Sequence, residues 1–78
     1  MSKQLRTSRH HRVMAALADI RHEAGVTQRE LAKRLERAHS YVSRIEKGDR
    51  RLDLPEFLQW CEVLGANPVE VIRRINGG

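Results

Sequence analysis

The segment from residue 27 to residue 48 constrains the fold most, because it holds two short apolar stripes separated by a very short break. The apolar positions are Leu31, Ala32 and Leu35 in the first stripe, and Val42 and Ile45 in the second. Both stripes have the three-to-four-residue spacing of a helix that buries one face. A break at residues 36–38 is too tight for the two helices to pack side by side, so we expect them to cross at a wide angle.

The rest of the chain has the same helical spacing, and glycine, proline and capping residues mark where the helices end. The predicted helices cover residues 9–24, 28–35, 39–47 and 54–64, and a fifth follows Asn67 and Pro68 and ends before Asn76. Thr27 with Glu30 is typical of a capping box, and Asp53 can cap helix four with Pro55 in its first turn. We find no convincing strand, so the sequence predicts a five-helix, all-α fold.

The length of 78 residues allows one small domain, and its formal charge of +5 favours a polyanionic partner. Two blocks carry the positive charge: residues 1–12 hold four bases and no acid, and residues 27–51 hold eight bases against four acids. We divide the chain into a basic N-terminal arm, residues 1–8, and a folded domain, residues 9–76. The arm either follows phosphates, enters a minor groove, or is a disordered tail. A membrane surface is the weaker partner, because no helix pairs a basic face with a broad aromatic-apolar one.

Two motifs in the central segment carry a family resemblance. The sequence Thr-Gln-Arg-Glu-Leu-Ala at residues 27–32, followed by Val-Ser-Arg-Ile-Glu-Lys-Gly at residues 42–48, closely resembles the Cro/repressor-type helix-turn-helix family, also called the xenobiotic-response-element (XRE) type. Arg21, Gly25 and the Leu64–Gly65 pair also fall in register with that family. The resemblance implies a compact, repressor-like DNA-binding domain whose third helix enters the major groove of double-stranded DNA.

The resemblance also implies a role for each side chain around helix three. Base contacts are expected from the first two turns of that helix, at His39, Ser40, Ser43 and Arg44. Arg44 is the strongest candidate, because an arginine can bond guanine O6 and N7 together. The alternatives for Arg44 are a phosphate contact or a plain surface charge.

Phosphate contacts are expected on either side of the same helix. The candidates are Gln28, Tyr41, Lys47, Arg50 and Arg51. Gln28 has the alternative of an ordinary exposed first-turn glutamine, and Tyr41 has the equal alternative of covering the edge of the core. The resemblance pairs Arg21 with Glu46, and we expect that ion pair to orient helix three more than to stabilise the fold.

The sequence departs from the family pattern in the turn between helices two and three. Glu36 and Arg37 replace the usual glycine and apolar residue, and a left-handed backbone at Glu36 is expected to be strained. Ala38 stands where a serine or threonine normally caps helix three. We therefore expect this helix to start late, with Ser40 as a substitute cap, which leaves the role of His39 open.

Other kinds of site find little support in the sequence. Histidines and the single cysteine are scattered through separate segments, at His10, His11, His22, His39 and Cys61. This spacing is not that of zinc ligands, so we expect no metal. No catalytic Ser-His-acid or Cys-His arrangement is suggested, and so small a helical chain offers little concavity for a substrate, so we expect no cofactor and no enzymatic activity. The lone cysteine cannot close an intrachain disulfide, and residues 1–12 resemble neither a signal peptide nor a membrane anchor, so we expect a cytoplasmic protein.

The sequence supports three functional hypotheses. The first is a sequence-specific transcriptional regulator, a repressor that occupies a near-palindromic operator as a homodimer. The second is an antitoxin-like or adaptor protein whose C-terminal helices bind a toxin or another regulator. The third is a nonspecific nucleic-acid binder. Trp60 and Val69 are either core-edge residues or contacts across a two-fold dimer axis.

Overall fold

Five helices account for most of residues 2–77, the part of the chain that the computed structural model describes; side chains are described from Arg9 to Gly77. The helices are α1 (Ser2–Glu23), α2 (Gln28–Arg34), α3 (Tyr41–Glu46), α4 (Leu54–Leu64) and α5 (Pro68–Gly77). Residues 2–77 contain no strand. The predicted all-α, five-helix architecture is confirmed.

The first helix starts earlier than the apolar spacing predicts. α1 begins at Ser2 instead of residue 9, because residues 2–12 contain no glycine or proline to interrupt it. The backbone of the expected basic arm is therefore helical from residue 2. The alternatives in which this arm contacts DNA depend on side chains such as Lys3 and Arg6, which lie outside the described side chains.

The ends of α1 to α4 share one device, a residue in the left-handed region followed by a backbone hydrogen bond that reaches back over the last turn. Glycine takes this position after α1, α3 and α4, but Glu36 takes it after α2, with a φ of 56°. The Arg37 amide donates to the Ala32 carbonyl at 2.9 Å, and the Glu36 amide donates to the Lys33 carbonyl at 3.0 Å. The sequence expectation of a strained backbone at Glu36 agrees with this geometry.

A complete capping box is present, but at α4 instead of α2. Asp53 accepts a hydrogen bond from the Glu56 amide at 2.8 Å, and the Glu56 carboxylate accepts one from the Asp53 amide at 2.9 Å. At α2, Thr27 accepts from the Glu30 amide at 3.0 Å. The Glu30 side chain makes its hydrogen bond with Arg34 at 3.3 Å, so the predicted second half of that box is wrong.

The core lies where α1 packs against α3 and α5, and where α4 packs against α2 and α5. Its fully buried side chains are Leu17, Leu31, Val42, Ile45, Trp60, Cys61 and Val71. Trp60 is buried completely, so a contact of Trp60 across a dimer axis is excluded, whereas Val69 is exposed. Burial raises the pKa of the Cys61 thiol, as expected for a small core residue.

Candidate nucleic-acid interface

α3 presents one apolar face to the core and one polar face to solvent. Val42 and Ile45 are fully buried against the other helices. Arg44 and Lys47 are exposed on the outer side, and Ser43 is half-buried. A helix that exposes short polar and basic side chains along one face can enter a major groove, where arginine and serine bond base edges.

The residues just before α3 do not extend the helix. His39 and Ser40 lie in the turn, and α3 starts at Tyr41, so the late start is confirmed and the predicted start at residue 39 is wrong. Ser40 has a helical backbone conformation and its side chain makes no capping hydrogen bond, which rules it out as the substitute cap. The His39 ring nitrogen Nε2 lies 3.1 Å from Arg29 Nη2.

A buried ion pair holds the C-terminal end of α3 against α1. Arg21 donates to both carboxylate oxygens of Glu46, at 2.7 Å and 3.0 Å, and each side chain is only 8% exposed. Gln28 donates to the same carboxylate at 2.9 Å, and Arg21 also donates to the Val26 carbonyl at 2.9 Å. The structure thus brings together three predicted residues, Arg21, Gln28 and Glu46. Their bonds fix how α3 sits on α1 and α2.

A second carboxylate, which the sequence reasoning missed, connects both ends of α3 to α4. Glu56 accepts hydrogen bonds from the Tyr41 hydroxyl at 3.0 Å and from Arg37 at 3.1 Å. Arg50 contacts both of its oxygens, at 3.0 Å and 3.2 Å. Burial raises the pKa of Glu56, but the bonds from Arg50, the Asp53 amide and Tyr41 outweigh burial and lower the pKa to about 2. The spacing Asp-x-x-Glu at the start of α4 was the one local signal for it.

Tyr41 belongs to this network and not to the outer face of α3. Its side chain is buried, and the guanidinium groups of Arg37 and Arg50 lie 4.7 Å and 4.9 Å from the centre of its ring. Burial and the bond to Glu56 raise the pKa of the hydroxyl. Of the two alternatives that the sequence left open for Tyr41, this geometry favours a residue at the edge of the core.

The loop after α3 places two neighbouring arginines in different surroundings. Arg50 is half-buried and bonded to Glu56 and to the Arg51 carbonyl, whereas the Arg51 side chain is exposed. His10 on α1 contacts the start of the same loop, with Nε2 3.2 Å from the Gly48 carbonyl oxygen. Lys47 and Arg51 are therefore the exposed cations at this end of α3, whereas Arg50 is held by Glu56.

α4 and α5 carry exposed large apolar side chains. These side chains, between 48% and 65% exposed, are Leu54, Leu58, Val69 and Ile72. Leu54 and Ile72 also line a groove between the start of α4 and α5. Apolar side chains that share one exposed groove, as Leu54 and Ile72 do, can form a protein-protein contact.

Comparisons with known proteins identify the family of this arrangement. A family model described as a helix-turn-helix domain matches residues 2–73. The solved structure of an XRE-family-like protein from Pseudomonas syringae superimposes with a TM-score of 0.88 and 36% sequence identity, covering 97% of this chain and 93% of that one. The chain belongs to the XRE-type helix-turn-helix family.

Further structures similar to this XRE-type domain include two of the clp gene regulator ClgR from Corynebacterium glutamicum. Both have a TM-score of 0.80 and 30% identity; each covers 88% of this chain, and they match 73% and 90% of the solved chains. No curated protein matches the chain. In the described part of this XRE-type domain, no helix is long and apolar enough to span a membrane, and no cluster of side chains could hold a metal ion.

Proposed function

We propose that this chain is a sequence-specific, double-stranded DNA-binding transcriptional regulator, and that it acts as a repressor by occupying a near-palindromic operator. The observation that carries the proposal is the outer face of α3, where Arg44 and Lys47 are exposed while the acid of the same helix, Glu46, is buried and paired. This face offers donors to DNA without an opposing free carboxylate. The similar ClgR structures are of a gene regulator, which supports the same class.

In this proposal, Arg44 reads the bases, with Ser43 beside it and His39 and Ser40 at the preceding turn. Arg44 is exposed and has no side-chain hydrogen bond among the described residues, so its guanidinium is available for a bidentate contact with guanine. Such a contact contributes about 1–3 kcal/mol of discrimination against other bases.

Phosphate contacts come from Lys47 and Arg51, with Gln28 at the first residue of α2. Gln28 is half-buried and its amide nitrogen is bonded to Glu46, so any phosphate it contacts lies close to the Arg21–Glu46 ion pair. These contacts set the register of the domain on DNA and carry no sequence information themselves. Tyr41 and Arg50 take no part, because Glu56 binds both.

We further propose that the regulator binds its operator as a homodimer through the apolar surface of Leu54, Leu58, Val69 and Ile72. That surface lies in residues 52–78, which carry two bases against four acids, so a second copy can approach there without the repulsion of two basic blocks. A two-fold dimer places two α3 helices on half-sites about 34 Å apart, one turn of DNA.

The test of DNA recognition is selection of bound duplexes from a random pool, followed by sequencing. The proposal predicts enrichment of one motif with two inverted half-sites spaced by about one helical turn. A pool that stays random after repeated rounds would overturn sequence-specific binding, and a single unrepeated half-site would overturn the dimer.

The same apolar surface favours a second candidate, an antitoxin-like or adaptor protein that grips a partner with α4 and α5. Sedimentation of the wild type with the selected duplex, compared with Leu54→Glu/Ile72→Glu, separates the two. A wild-type complex of two chains per duplex, reduced to one in the double variant, supports the homodimer. One chain per duplex for both proteins would favour a different protein partner. Gln59→Glu, at an exposed position on α4, is the matched control.

A further inference from the structure

We propose that Glu56 is a positioning residue for DNA specificity, which holds Arg37 and Arg50 back from the phosphate backbone. The inference rests on the proposed DNA binding and adds a restraint to it. Arg37 lies in the turn before α3 and Arg50 in the loop after it, so the two arginines flank both ends of the helix that faces DNA. Glu56 bonds both of them.

The two arginines are held but not buried. The Arg37 side chain is 41% exposed and that of Arg50 is 33% exposed, while the Glu56 side chain they share is only 9% exposed. Each guanidinium group is bonded to the Glu56 carboxylate and lies against the Tyr41 ring. A cation in this position can swing into solvent once its carboxylate partner is gone.

The restraint matters because phosphate attraction does not depend on sequence. Every additional cation that reaches the backbone strengthens binding to all DNA alike and steepens its salt dependence. Competing nonspecific sites greatly outnumber an operator, so extra free arginines lower the specificity ratio. The Glu56 carboxylate binds two arginines beside α3 and so limits the number of phosphate contacts.

Glu56 also compensates for the weak ends of α3. The helix has six residues and no side-chain cap, and so short a helix is not stable by itself. The Tyr41 hydroxyl at its first turn and Arg50 beyond its last turn are both bonded to Glu56. One side chain thus positions the reading helix and withholds two arginines.

The test is the salt dependence of binding to a short random-sequence duplex, measured for wild type and Glu56→Gln. The glutamine keeps the size of the side chain and can accept from the Asp53 amide, but it cannot pair with two guanidinium groups. We expect the slope of log affinity against log salt to steepen by about 0.9 for each arginine released. Circular dichroism first establishes that both proteins are folded at the measuring temperature.

Two further variants distinguish release of the two arginines from a general loosening of the contacts around Glu56. Glu56→Gln/Arg37→Gln/Arg50→Gln is expected to return to the wild-type slope. Tyr41→Phe removes one bond to Glu56 but keeps the carboxylate, the ring and both arginines, and is expected to leave the slope unchanged.

Three results would overturn the inference: an unchanged slope in Glu56→Gln, an equally steep slope in Tyr41→Phe, or no return in the triple variant. Wild-type binding to the same duplex and to the selected operator is measured alongside. A wild type that binds neither duplex overturns the proposed function, and this inference with it. A wild type that binds while the Glu56→Gln slope stays unchanged overturns this inference alone.

Discussion

Glu46 and Glu56 both hold α3, but they act from opposite sides of it and with different partners. Glu46 belongs to α3 itself and pairs with one buried arginine of α1, whereas Glu56 belongs to α4 and collects a hydroxyl and two half-exposed arginines. The first network is closed to solvent and the second is open at its edges. The first contact fixes the angle of the helix, and the second, in our proposal, also controls which charges face DNA.

The largest expected effect comes from breaking the closed network. Glu46→Ala leaves the Arg21 guanidinium buried without its carboxylate, so we expect the free energy of unfolding to fall by about 3–5 kcal/mol. Urea unfolding followed by the fluorescence of Trp60, the single tryptophan, measures it.

Arg73→Ala is the control for that measurement, because the Arg73–Glu70 pair is exposed and should change stability by less than about 1 kcal/mol. Replacing both members, in Arg21→Met/Glu46→Leu, is expected to cost much less than Glu46→Ala. Equal losses in Glu46→Ala and Arg73→Ala would show that the buried pair does not hold α3.

The contribution of the Glu56 network to the free energy of unfolding should depend on pH. The pKa of Glu56 is about 2 in the folded protein against 4.5 for an ordinary glutamate, so its contribution is complete above pH 4.5. It is lost as the pH falls through 4.5 toward 2, and it amounts to at most about 3 kcal/mol, because solvent screens the bonds from the half-exposed arginines. Unfolding curves across this range measure the loss. Glu56→Gln should be less stable at neutral pH and should lose less stability on acidification than the wild type does.

On DNA, the comparison predicts different roles for the free arginines and the held one. Arg44→Ala should weaken binding to the selected operator by about 1–3 kcal/mol and relax the preference at one base pair. Arg51→Ala should weaken binding to all duplexes and reduce the salt slope by about 0.9. Arg50→Ala should leave that slope unchanged, because Arg50 is bonded to Glu56. A flatter slope in Arg50→Ala would place Arg50 on the phosphates.

The smallest effect concerns the turn that leads into α3. Glu36→Gly removes a side chain from a left-handed backbone and should stabilise the protein by about 1 kcal/mol. Gly48→Ala should do the reverse at the other end of α3, since its φ is +83° and the added carbon would lie 3.0 Å from the His10 ring. Thermal unfolding of both variants gives the comparison, and a Glu36→Gly that melts lower than wild type would contradict it.

The sequence predicted well what local spacing determines. The bounds of α4 follow from its cap and from the glycine that ends it. The strain at Glu36 was expected from the family resemblance, because Glu36 stands where that family usually has a glycine. α1 begins earlier than predicted, because the helix continues into a polar segment where apolar spacing gives no signal.

The roles that depend on distant side chains were harder to predict. Arg50 and Arg51 are neighbours of the same type, and only the position of Glu56 on α4 distinguishes them. For Tyr41, the sequence left a phosphate contact and a position at the core edge equally open. The bond from its hydroxyl to the same carboxylate favours the core edge. The Glu56 network draws on three separate segments, so no single stretch of sequence reveals it.

We propose that α3, held at both ends, reads bases through Arg44. This role is tested by replacing each guanine of the selected half-site with 7-deazaguanine, which lacks the N7 acceptor, and comparing wild type with Arg44→Ala. We expect one guanine per half-site whose replacement weakens wild-type binding but has no further effect on Arg44→Ala. Losses that are equal in the two proteins at every guanine would contradict it.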